Sequence, residues 1–288
     1  MPPKSASEKV IALQNFDMSS IPPNKKILFV GGTNSGKTIL CLDYLYYHQS
    51  EFPIGTLLSP SEPFNETYKN HIPAVFIHNE YTPELIQSIL ERQKEITQNC
   101  KSDPRYVNVN PLAFCIMDDC LADSKKWKND ENIRWIFENG RHVNLTLLMT
   151  MQYALGIPPH LRANIQYIFL CRTPKYQEQK KLFEQYAGMF ESFKQFREVF
   201  SKCTKKYGCM VINNEARSDN LEEQVFKYKA NPDNKPDWDT FRMCYPSFWK
   251  DNDKCRKIKQ IESEKTSKLL PIETNKKYVV HDDDDDDD

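Results

Sequence analysis

Residues 31–38 read GGTNSGKT and match G-x-x-x-x-G-K-[ST]. The run KILFV (26–30) precedes them and TILCLDYL (38–45) follows. A strand, a glycine-rich turn and a helix in that order make this a phosphate-binding loop rather than a chance pattern. Gly31, Gly32 and Gly36 let the backbone wrap tightly round an anion. Thr33, Asn34 and Ser35 fill the turn, and the N–H groups from about Asn34 to Thr38 point inward, helped by the helix N-terminus. Lys37 is expected to reach the β- and γ-oxygens of a nucleoside triphosphate, and the Thr38 hydroxyl to ligate Mg²⁺.

A loop of this kind needs a parallel sheet behind it, and the chain supplies one. Short apolar runs recur at 55–60, 74–79, 112–117, 145–151, 167–171 and 209–213. Helical patterns stand between them, notably 82–96, with Thr82 as N-cap and Pro83 at its first position, and 130–140, closed by Gly140. Further helices are expected across roughly 175–187 and 189–202. Strands apolar on both faces that alternate with helices imply an α/β fold, a mostly parallel central sheet flanked by helices. The chain divides into an N-terminal tail or strap (1–24), a P-loop domain (25–230) and a C-terminal extension (231–288). In that extension, 237–250 is aromatic and suited to docking on the core, whereas 251–280 is expected to be a flexible basic segment.

The run LAFCIM (112–117) ends in Asp118 and Asp119. Two adjacent carboxylates at the mouth of a buried strand repel each other and resist leaving water. Downstream of a phosphate loop the pair has a Walker-B-like use. Asp118 is expected to hold Mg²⁺ and Asp119 to activate the water that attacks the γ-phosphate. Gln152, at the end of LTLLMTM, faces the same side if the two strands are neighbours, and an amide there can sense nucleotide state. Arg141, after IFENG, and Arg162, in PPHLRANI, are both candidates for an arginine finger serving a neighbouring subunit. Lys125, Lys126 and Lys128 with Trp127 form either a solvated loop or a contact to DNA phosphates and a base.

The bulk numbers fit an intracellular protein. Of 288 residues, 39% are hydrophobic and 27% charged, and no apolar run approaches the ~18 residues of a membrane span. The nine cysteines include no C-x-x-C pair and fit reduced, buried thiols, with structural zinc the alternative. Net charge is −1, but the chain ends in seven aspartates, without which the remainder carries +6. A mildly basic body is permissive for nucleic acid. The acidic tail reads as a solubilising end or as a DNA mimic.

Several motifs in order resemble one family: FVGGTNSGKT, CIMDDC, KKWKNDENIRWIFENGRH, MQYALGIPPHLRANIQYIFLCR, FEQYAGMF and EEQVFKYKA. Together they are similar to the genome-packaging ATPases of nucleocytoplasmic large DNA viruses, within the FtsK/HerA group of P-loop translocases. The resemblance covers about Lys26 to Ala230. It implies a RecA-like core that binds ATP and Mg²⁺. It also implies a homo-oligomeric ring, taken as hexameric, that drives double-stranded DNA into a capsid. The expected partners are DNA and the capsid or membrane proteins of the packaging vertex, in the viral factory of the host cytoplasm or in the virion. The family's trans-acting arginine lies eleven residues before the sensor Gln, which favours Arg141 over Arg162. The second Walker-B acid is Asp where many FtsK-like members have Glu. Two other readings stay open on the residues alone, a monomeric nucleotide kinase and a nucleotide-binding capsid assembly factor.

Overall fold

In the computed structural model, residues 12–120 and 127–250 are described. Eight strands form one sheet: β1 (Lys26–Val30), β2 (Ile54–Leu58), β3 (Ile77–His78), β4 (Ala113–Met117), β5 (Leu145–Met151), β6 (Tyr167–Cys171), β7 (Cys209–Asn213) and β8 (Val225–Tyr228). Their order is β3-β2-β4-β5-β1-β6-β7-β8. The first six run parallel, while β7 and β8 are antiparallel additions. The sheet is thus mostly parallel, and the departure is confined to one edge. An apolar run such as CMVIN marks a buried strand but carries no direction. The segment expected as a strand at 74–79 is a 3-10 turn (Ala74–Phe76) and the two-residue β3.

Among the described residues, the helices of nine residues or more are α1 (Lys37–Tyr47), α2 (Pro83–Ser102), α3 (Glu131–Asn139), α4 (Tyr176–Tyr186) and α5 (Phe193–Cys203). Thr82 caps α2 by accepting the Leu85 N–H, and Asp130 caps α3 through the N–H groups of Asn132 and Ile133. Gly140 does not end α3 in the left-handed region. The chain continues into a 3-10 turn (Gly140–Val143), and Asn144 takes the positive φ of 57° instead.

Period-two alternation splits the core into two layers. Leu28, Val30, Met117 and Met149 face one side, with Ile86, Ile133 and Phe196. Ile27, Phe29, Ile116 and Leu148 face the other, with Leu40, Tyr44 and Leu45 of α1. Phe241 and Met243 pack in that second layer, and Phe241 meets the Tyr46 ring edge-on. Residues Met1–Pro246 form one compact unit and Ser247–Asp288 a second, of which the described residues, 247–250, are helical. The acidic tail, the basic segment 251–280, Lys125 and Lys126 lie outside the described residues. No helix among the described residues is long and apolar enough to cross a membrane.

Candidate nucleotide site

The glycine loop leaves the C-terminal end of β1 at the middle of the sheet. The Gly31 N–H donates to the carbonyl of Met151 on β5 (3.0 Å), which ties the start of the loop to the neighbouring strand. A β-carbon on Gly31 would lie 2.5 Å from that of Cys171 and 2.6 Å from Ser35 Oγ, so only glycine fits. Two left-handed residues, Asn34 (φ 57°) and Gly36 (φ 92°), turn the chain into α1. Gly36 supplies no side-chain cap, so the first-turn N–H groups of α1 keep no internal partner. Lys37 is buried, and its Nζ donates to the Gly31 carbonyl (3.0 Å) and the Gly32 carbonyl (2.8 Å). Burial pushes its pKa down, against the attraction of Cys171, Asp119 and Asp118.

The two aspartates stand at the end of β4, two strands over from β1 in a sheet where β5 lies between. Asp118 is only 4% exposed. Burial raises its pKa and the adjacent Asp119 adds to the rise, while the Thr150 hydroxyl and Lys37 oppose it. Thr150, on β5, links the pair. Its hydroxyl donates to Asp118 Oδ1 (2.6 Å), and its oxygen accepts the Asp119 N–H (2.9 Å). Asp119 takes a positive φ of 54°, a costly conformation for a residue with a β-carbon. The turn aims its carboxylate at Gln152, whose Nε2 donates to Asp119 Oδ1 (2.7 Å). Asp118, Thr150, Asp119 and Gln152 therefore form one hydrogen-bonded row across β4 and β5. Thr150 escaped the sequence reading. Its one signal is a polar residue inside LTLLMTM, and such a residue is usually satisfied within its own strand.

The arginines lie elsewhere. Arg141 precedes β5 and Arg162 precedes β6, so both stand at the sheet edge opposite the glycine loop. Seven residues of β5 place Arg141 roughly 20 Å from Gln152 of the same chain. Arg141 is exposed, and its charge helps burial lower the pKa of Lys26, at the start of β1, to about 8. Arg162 lies over the Tyr186 ring at 5.7 Å. Trp127 is fully buried, and its indole N–H donates to the Cys120 carbonyl (3.1 Å). It is a core residue, which overturns its reading as a base-stacking contact to DNA.

A cavity of about 560 Å³ opens beside the loop, lined by Asn34–Leu40 on one wall and by Tyr207 and Lys229–Asp233 on the other. Of that second wall only Lys229 and Ala230 fall within a motif, the end of EEQVFKYKA. Among the described residues no three His, Cys, Asp or Glu side chains converge on a common point.

The poxvirus A32 protein family matches residues 14–235. Protein L437 of Acanthamoeba polyphaga mimivirus is 37% identical over 219 residues, covering 76% of this chain and 77% of its own. Protein 075L of Invertebrate iridescent virus 6 is 30% identical over 234 residues, covering 76% and 86%. Among solved structures, the genome packaging NTPase B204 of Sulfolobus turreted icosahedral virus 2, in complex with AMP, superposes with a TM-score of 0.52. It is 14% identical and covers 73% of this chain and all of its own. The pCW3 conjugation coupling protein TcpA, with ATPγS, superposes at 0.51 with 11% identity, covering 72% and 60%. These two likenesses establish a P-loop ATPase fold. With the glycine loop, the paired aspartates and the strand-end Gln in one site, the chain belongs to the poxvirus A32 family of viral packaging ATPases.

Proposed function

We propose that this chain is an ATP-hydrolysing DNA translocase that packages viral double-stranded DNA into the capsid, acting as a homo-oligomeric ring, taken as a hexamer, in the viral factory. The observation that carries the reading is the row Asp118–Thr150–Asp119–Gln152 beside the glycine loop. A strained, hydrogen-bonded acid next to the γ-phosphate position suits an attacking water.

The residues fit Mg²⁺. Asp118 is a buried carboxylate with a raised pKa, which a cation would reverse, and Thr38 offers a hydroxyl at the start of α1. One carboxylate and one hydroxyl are too few for an all-protein cage, but Mg²⁺ commonly completes its shell with phosphate oxygens and water. When bound, the ion would supply positive charge that neutralises the phosphate oxygens. Lys37 would exchange the Gly31 and Gly32 carbonyls for phosphate oxygens. Asp119 would accept the proton of the attacking water, and Gln152 would hold that carboxylate in register while contacting the γ-phosphate. Arg141 would act on the site of a neighbouring subunit, since its own lies across the sheet.

The test is the ATPase rate of the purified chain with and without long double-stranded DNA. We expect stimulation by DNA, and loss of about 10²-fold or more in kcat for Asp119→Asn with ATP affinity retained. Phosphate release by Asp119→Asn at the parental rate would defeat the assignment of the water-activating acid. A parental rate indifferent to DNA would defeat translocation.

A further inference from the structure

The row of polar residues accounts for the phosphate end of a nucleotide and leaves the other end without a seat. Strand order gives the direction. The aspartates and Gln152 end β4 and β5, on one side of β1, so a triphosphate in the loop points its γ-phosphate that way. Its nucleoside then extends toward β6, β7 and β8. β7 runs antiparallel to β6, with Cys209 opposite Cys171, so the turn before β7 arrives at the same sheet edge as the glycine loop. β8 reverses again, with Tyr228 opposite Cys209, so the segment after β8 leaves at that edge too. The two antiparallel strands thus bring Tyr207 and Lys229–Asp233 to the nucleotide edge, where they form the far wall of the 560 Å³ cavity.

Tyr207 is 71% exposed, although an aromatic ring of this size gains by burial. It sits at φ 64° behind Lys206 at φ 49°, two successive left-handed residues with β-carbons. Bulky side chains rarely adopt that conformation, and it persists where function requires it. The turn holds the ring against the loop: a β-carbon built on Gly36 would lie 3.9 Å from Tyr207 Cδ1. The rest of that far wall is pinned. Lys235, two residues past Asp233, pairs with the completely buried Asp43 of α1, which also accepts from the Tyr228 hydroxyl. The Lys235 ammonium lies 4.2 Å from the Tyr47 ring centroid, 5.0 Å from that of Tyr46 and 5.3 Å from that of Trp238. Both parts of the far wall are therefore referenced to the helix that carries the phosphate loop.

We infer that this cavity is the nucleobase pocket and that Tyr207 is its stacking platform, the residue that makes the site select a nucleotide over a bare polyphosphate. The inference rests on the phosphate-loop reading above. The polar groups of Lys229, Asn231 and Asp233 are exposed at the rim. Affinity for the base therefore comes mainly from the ring face.

Isothermal titration of the full chain, in Mg²⁺, with a non-hydrolysable ATP analogue and separately with inorganic tripolyphosphate tests it. Tyr207→Ala should weaken the analogue about ten- to a hundredfold and leave tripolyphosphate unchanged. Tyr207→Phe should bind both as the parent does. Equal binding of the analogue by Tyr207→Ala and the parent would overturn the platform. Equal losses for both ligands would overturn it too, by showing that Tyr207 merely props Gly36. Lys37→Ala separates the two readings. It should weaken both ligands, and if it weakens neither, the phosphate loop itself fails whatever Tyr207 does. Thermal melting of each variant reports folding, which an exposed ring should not disturb.

Discussion

The sheet has two halves on either side of β1, and they are built by different means. From β4 to β1 the strands are parallel, and the functional groups are buried or half-buried, hydrogen-bonded to one another and fixed by strand ends. From β6 to β8 the last strands are antiparallel, and the groups facing the nucleotide edge are exposed and held by turns. The first half organises itself locally. The Thr150 hydroxyl alone spans two strands and satisfies two neighbours. The second is held from a distance by Lys235 and Asp43, 192 residues apart. Chemistry that must be placed to a fraction of an ångström sits on strand ends. A pocket that only has to hold a base can be made of turns.

The sharpest way to break this contrast lies in the parallel half, because Arg141 stands apart from its polar row. Arg141 stands roughly 20 Å from its own site along β5. If a neighbour's Arg141 completes each site, Arg141→Ala should lose about 10³-fold in kcat with nucleotide affinity unchanged. Mixing it with Lys37→Ala subunits should restore hydrolysis that neither has alone, because some interfaces then pair an intact loop with an intact arginine. Steady-state kinetics of the two proteins and their mixture decide it. Failure of the mixture to recover would confine Arg141 to its contact region near Lys26. Arg162 is the control. It already lies over the Tyr186 ring, so its replacement should act on stability first.

The antiparallel half makes the next prediction. Lys235→Met leaves the buried Asp43 carboxylate with only the Tyr228 hydroxyl. Breaking a buried ion pair from one side costs about 3 kcal/mol, or roughly 6–10 °C in Tm for a chain of this size. The double variant Asp43→Leu/Lys235→Met removes both charges and should recover most of that loss. Thermal melts of the single and double variants check it. If the single variant melts with the parent, the second half is held by apolar packing and the contrast weakens.

The same contrast explains what could be read in the sequence. KILFV, LTLLMTM and YIFLC coincide with β1, β5 and β6, because a run buried on both faces is dominated by apolar residues along its whole length. The glycine loop and paired aspartates were legible because phosphate chemistry forces a fixed spacing. The direction of β7 and β8 was not, since hydrophobicity has no polarity. Thr150 was hidden by its apolar strand, Tyr207 by a lysine-rich turn without a motif. Trp127 misled because a tryptophan among lysines resembles a nucleic-acid contact, whereas its ring fills the core and its N–H finds the Cys120 carbonyl. Lys235 and Asp43 are ordinary residues in sequence and become a unit only when the chain returns to α1.

The smallest effect sharpens the comparison through pH. Past the pinned wall, the chain crosses the α1 layer, where Phe241 stacks on His71 at 4.2 Å and its carbonyl accepts from His71 Nδ1 (3.0 Å). The Met243 N–H returns a bond to the His71 carbonyl (2.8 Å). Burial lowers the His71 pKa, and the Phe241 carbonyl and Asp239 only partly offset it. A base whose folded pKa lies below its unfolded value of about 6.5 binds fewer protons folded than unfolded in the window between the two. Its contribution is therefore present above pH 6.5 and is lost as pH falls through that window. His71→Asn keeps a donor for the carbonyl and removes the titration. The Tm advantage of the parent over this variant should be largest at pH 7.5 and shrink toward pH 5. An advantage independent of pH would mean that ring stacking alone, not the neutral imidazole, secures the segment that follows the base-side wall.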